Sequence, residues 1–137
     1  MKAYRPAIRC GHPVRATALV LAIIAIGAWT TARADVVDIA WDASGRFERS
    51  VSVAPGKFAE VCGKLPAGLK VRWNFEASVP LDFNVHYHVD KDAIFPSKLT
   101  AVATAKDTLD TKIDQHYCWM WSNKTAAAAT IMVMLQR

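Results

Sequence analysis

From residue 81 to residue 90 every second side chain is apolar: Leu81, Phe83, Val85, Tyr87 and Val89 alternate with Asp82, Asn84, His86, His88 and Asp90. A strand sends successive side chains to opposite faces. A period of two therefore rules out an amphipathic helix here and demands a sheet with one apolar and one polar face. The same period recurs along the chain. Val71, Trp73 and Phe75 alternate with Arg72, Asn74 and Glu76, Tyr117, Trp119 and Trp121 with His116, Cys118 and Met120, and Ile131, Val133 and Leu135 with Thr130, Met132 and Met134. Further strands are expected over 47–53 and 57–65, with turns at Pro55-Gly56 and Pro66-Ala67-Gly68. Several short alternating strands separated by turn signals predict an all-β fold, an antiparallel β-sandwich of roughly 7–8 strands with jelly-roll-like character. The segment 90–111 interrupts the pattern. It contains Pro96, and Lys98 to Lys106 (KLTAVATAK) is read as a short helix or an irregular crossover.

The first 34 residues are a different kind of sequence. Lys2, Arg5, Arg9 and Arg15 precede an uncharged run from Ala16 to Trp29, and Ala32-Arg33-Ala34 supplies small residues before Asp35. A basic start, an apolar middle and an A-x-A end form a secretory signal peptide. The apolar run is too short to span a bilayer, which takes about 20 residues. The expected organisation is a signal peptide over 1–34 and a single domain over 35–137, located in the periplasm or secreted. The mature chain has no second apolar stretch of membrane-spanning length. The full chain carries 17 Lys and Arg against 12 Asp and Glu. Five of those basic residues (Lys2, Arg5, Arg9, Arg15, Arg33) and none of the acidic ones precede Asp35, which leaves 12 of each sign in the mature domain. A net charge of zero removes the main argument for a nucleic-acid or anionic-membrane partner. Cys10 falls in the presequence, so Cys62 and Cys118 are the two cysteines of the mature chain. In an oxidising compartment a disulfide between them is the leading reading, with a buried thiol pair and metal thiolates as the competing ones.

The ordered segments FERSVSVAPGKFAEVCGKLPAGLKVRWNFEA, LDFNVHYHV and HYCWMWSNK, followed by an apolar closing strand, resemble the GOLD (Golgi-dynamics) domain over residues 47–137. In that family a cysteine near the first strands pairs with one in a tyrosine–x–cysteine–aromatic segment near the last hairpin. Cys62 matches the first, and Tyr117, Cys118, Trp119 and Asn123 match the second loosely. The resemblance implies a GOLD-like sandwich with a recognition role. It does not extend to the coiled coil, membrane span and sorting tail of the cargo receptors that carry this domain.

Two sets of residues have the chemistry of metal ligands. His86 and His88, at i and i+2, share one strand face with Asp82, Asn84 and Asp90, and two imidazoles on one face can begin a zinc or copper site. The face is also what a solvated sandwich surface looks like. A second set, Met132 and Met134 with His116, Cys118 and Met120 beside Trp119 and Trp121, has the soft donors that select copper(I). The simpler account of those methionines and tryptophans is core packing. Asn123-Lys124-Thr125 fits an N-glycosylation acceptor. The sequence has no G-x-S-x-G, no phosphate-binding glycine loop and no H-E-x-x-H. The reading is an exported, non-catalytic binding module for a protein or small-molecule ligand, without a cofactor. The alternative is a small periplasmic metal-binding protein holding copper or zinc on the His86/His88 face.

Overall fold

The computed structural model describes residues 35–137, so the expected signal peptide lies outside the described residues. The described chain is all-β, with strands β1 (Asp35–Asp38), β2 (Arg46–Val53), β3 (Phe58–Leu65), β4 (Lys70–Val89), β5 (Asp92–Asp110), β6 (Gln115–Ser122) and β7 (Ala129–Gln136). They form one sheet in the order β1-β3-β6-β4-β7-β2, with β5 on the remaining edge of β4. Every pairing is antiparallel except β1 with β3, which is parallel. The expected antiparallel sandwich is thus a mixed sheet. Its β2 and β3, with three strands between them in sheet order, come back into contact, so the sheet almost closes on itself.

The long strand β4 makes this possible. The runs 69–77 and 81–89, which read as two strands parted at Pro80, are one 20-residue strand. Residues 72–77 pair with β7 and residues 82–87 pair with β6, along the same edge. Pro80 lies in the gap between these two ladders, where its missing N–H costs no sheet hydrogen bond. The odd-numbered side chains of β4 face inward on both sides of the gap. Trp73 and Phe75 therefore meet Phe83 at ring distances of 4.9 and 4.7 Å, and Trp121 closes on Phe75 and Phe83 at 5.5 Å. Trp119, Trp121 and Tyr117 are fully buried, as are Ile131, Val133 and Leu135 of β7. The tryptophans are core residues, as their alternation implied.

The segment 90–111 is neither helix nor crossover. It is β5, a 19-residue strand antiparallel to β4. Its register against β4 slips three times, once where residues 77–80 of β4 pass Ala103 and twice at β-bulges of its own. Thr100 and Ala101 together oppose Asp82, and Phe95 and Pro96 together oppose His86. Ala101 adopts φ 53°, and its N–H donates to the Asp82 carboxylate at 3.1 Å. Each slip moves the inward-facing positions of β5 from odd to even numbers or back, which erases any period-two signal.

The outer-face site around His86

The outer face of β3, β6 and β4 carries the polar residues of the domain's middle. Register places Cys62, Cys118 and His86 in one row across three adjacent strands. Cys62 and Cys118 are joined as a disulfide across the β3–β6 pair. Of the three readings open at the sequence level, the bonded one holds in this oxidised form. Two residues before Cys62 on β3, and so on the same face, Glu60 reaches over the row. Its Oε2 lies 3.9 Å from Cys62 Sγ and its Oε1 lies 3.9 Å from His86 Nε2. The second distance permits charge attraction only when the imidazole is protonated, and it is too long for a hydrogen bond.

The face was expected to be solvated, and at His86 it is not. His86 is 8% exposed and Asn84 9%. The β5 bulge is the cause, because it brings the Phe95 ring to 5.9 Å from the His86 ring. The His86 Nδ1 sits 2.8 Å from Asn84 Oδ1. An amide oxygen only accepts, so Nδ1 carries the proton and Nε2 presents a lone pair toward Glu60. Burial holds the His86 pKa below the ordinary histidine value, the neighbouring Glu60 charge opposes that shift, and His88 adds to it.

His88 shares the strand face as expected, with its ring 5.3 Å from that of His86 and perpendicular to it, but His88 is exposed. Among the described residues no third His, Cys, Asp or Glu donor joins the two histidines. The one three-donor group is Glu60 with Cys62 and Cys118, whose sulfurs are bonded to each other. A zinc or copper site built on His86 and His88 therefore lacks its remaining ligands in this form. The soft copper(I) set does not converge either. Met132 and Met134 lie beside β2 and the first half of β4, on the outer face of the other half of the sheet from Met120 and His116. Met132 is 47% exposed, so it does not fill the core.

Two further sequence readings change. Asn123 is fully buried. Its Nδ2 donates to the carbonyls of Val53 and Ala127, and its Oδ1 accepts from the Thr125 backbone and hydroxyl. It is an Asx-turn residue, closed to glycosylation in the folded domain. Asp82, counted among the polar face residues, accepts from Lys124 and from the Ala101 N–H, which lower its pKa in that order, so it fixes a bulge and a loop. Glu60 and Phe95 went unnoticed in the sequence. A single glutamate in a strand carries no signal, and Phe95 belongs to the segment whose pattern the bulges hide.

The fold resembles known ones. PliG of Aeromonas hydrophila, a periplasmic inhibitor of g-type lysozyme, matches with a TM-score of 0.55 and 9% identity over 76% of this chain and 96% of that one. The pre-peptidase C-terminal domain of a Bacillus anthracis collagenase matches at 0.55 and 7%, over 76% and 95%. PliG of Salmonella Typhimurium matches at 0.52 and 11%, over 76% and 98%. At these identities the likeness is one of fold. No family model and no curated protein matches the sequence. None of the three structures is a GOLD domain, and that resemblance rests on its sequence segments alone.

Proposed function

We propose that this chain is an exported, non-catalytic module that binds a protein partner through the tip of its β4–β5 ribbon. The observation that carries the reading is where the apolar surface lies. Of seven large apolar side chains left exposed among the described residues, three (Val89, Ile94 and Phe95) fall within seven positions at that tip. Scattered exposed apolar residues mean little, but here Val89 and Ile94 share one face of the ribbon and Phe95 lies on the other, so the tip offers apolar side chains on both sides, a feature of recognition surfaces. The tip is a two-residue turn, Asp90-Lys91, between long paired strands, so presenting it costs little conformational entropy. The reading has further support in the signal-peptide-like start and in the similarity of fold to periplasmic lysozyme inhibitors. No helix among the described residues is long and apolar enough to cross a membrane.

The fold neighbours make a g-type lysozyme the first partner to test. The domain from Asp35 onward should inhibit lysis of cell-wall substrate by that enzyme, and calorimetric titration should give one binding site. Ile94→Asp combined with Phe95→Ala should weaken binding at least tenfold while leaving the thermal midpoint near that of the wild type. If inhibition is full in this variant, the tip is not the binding surface. If g-, c- and i-type lysozymes are all unaffected by the wild type, the partner is not a lysozyme.

A further inference from the structure

We infer that reduction of the Cys62–Cys118 disulfide creates a zinc site whose ligands are the two thiolates, the Glu60 carboxylate and Nε2 of His86. The inference stands apart from the protein-binding proposal and shares no ligand with it, although Phe95 of the ribbon tip also packs against His86. Four donors, two sulfurs, one oxygen and one nitrogen, form the mixed set that zinc accepts in tetrahedral sites. In such a site, with bonds of about 2.0–2.3 Å, neighbouring donors stand roughly 3.3–3.8 Å apart. The sulfur–oxygen and oxygen–nitrogen distances here are both 3.9 Å. They run to the two different oxygens of Glu60, so the carboxylate lies between the sulfur and the imidazole. To close the site the sulfur–sulfur contact must open and His86, which stands outside the three donors lying within 4.8 Å of one another, must move in. Three of the ligands sit in one cross-strand row, where the sheet fixes their spacing. The fourth, Glu60, already lies over that row.

The outer contacts fit the same role. A ligating imidazole usually donates its other ring N–H to an oxygen, which sets the tautomer and aims the free nitrogen at the metal. Asn84 Oδ1 does this for His86 at 2.8 Å, with both side chains buried. His88 points to solvent on the same strand and is not needed.

The chemistry balances. A dithiol reductant supplies two electrons and two protons, so the protein disulfide becomes two thiols as the reductant becomes a disulfide. Zinc then displaces one proton from each thiol as two zinc–sulfur bonds form. Reoxidation reverses both steps and expels the ion. Metal binding and disulfide formation compete for the same two sulfur atoms, so zinc should slow reoxidation.

The test uses the domain reduced with a phosphine and titrated with Co²⁺, whose tetrahedral thiolate complexes absorb strongly. One Co²⁺ per chain should give d–d and sulfur-to-metal charge-transfer bands, and Zn²⁺ should bleach them. The oxidised domain should give none. In the reduced form Glu60→Gln and His86→Gln should each weaken binding at least tenfold, Asn84→Ala by about 10–100-fold, and His88→Ala should change nothing. Zinc should lengthen the half-time of diamide reoxidation in the wild type but not in Glu60→Gln. Equal affinity in Glu60→Gln, His86→Gln and wild type would overturn the inference, because the metal would then sit on the thiolates alone. Loss on His88→Ala would point to a different site. Unfolding of the reduced chain that zinc fails to reverse would count against it equally.

Discussion

At the scale of single residues, His86 shows how one contact changes a side chain's chemistry. On its own strand it belongs to the polar series, and the Phe95 ring from β5 makes it a buried base. Its pKa is lowered from 6.5, chiefly by burial. The unfolded chain, whose histidine keeps the ordinary value, therefore binds a proton more readily than the folded one. The stability linked to His86 is fully present above the unfolded pKa and is lost as pH falls from there through the folded pKa. The thermal midpoint of the wild type should accordingly fall more than that of His86→Gln between about pH 7.5 and 5. Calorimetry of the two proteins in matched buffers checks this, since other titrating groups affect both alike. Parallel curves would mean that His86 titrates freely in the fold. Asn123 makes a related point. A three-residue surface motif matched its sequence, while the β2 carbonyl and its own loop claimed its side chain.

At the scale of elements, the β4–β5 ribbon is the organising unit. β4 supplies the core ring cluster and both ladders of the sheet, and β5 follows it through two bulges. The bulge opposite Asp82 holds Ala101 at φ 53°, in the left-handed region that favours glycine. Ala101→Gly should therefore stabilise the domain, by about 0.5–1 kcal/mol after the added freedom of the unfolded glycine is subtracted. Urea unfolding measures the change. A destabilised variant would show that Ala101 is held by side-chain packing rather than by the bulge geometry. The bulge opposite His86 has the other role, since it turns Phe95 over the polar face.

At the scale of the whole molecule, the Cys62–Cys118 bond ties β3 to β6, strands separated by 56 positions in sequence. It closes a loop that contains all of β4 and β5. The chain-entropy account gives a loop of this size about 4 kcal/mol of stabilisation. Cys62→Ala with Cys118→Ala should lower the unfolding free energy by about 2–5 kcal/mol, measured by urea denaturation at a pH where the wild type is two-state. That is a large share of the roughly 5–15 kcal/mol by which domains of this kind are stable. An unchanged midpoint would mean that the sheet alone holds these strands together.

The sequence by itself determined which stretches are strands wherever the backbone is regular. Val71 to Phe75, Leu81 to Val89, Tyr117 to Trp121 and Ile131 to Leu135 announce themselves because a two-residue period maps directly onto inside and outside. It also placed two cysteines after residue 34, and it marked the His86/His88 pair as candidate ligands on a polar face. Only the tertiary structure decided the rest. That two runs form one strand depends on which ladders flank Pro80, and that β5 is a strand depends on bulges that cancel its period. The parallel β1 is four residues long and pairs with a strand more than twenty positions away, too short a run to carry a pattern. The Glu60, Cys62, Cys118 and His86 cluster comes from three strands distant in sequence. Its members meet because hydrogen-bond register, a property of pairs of strands, sets them side by side.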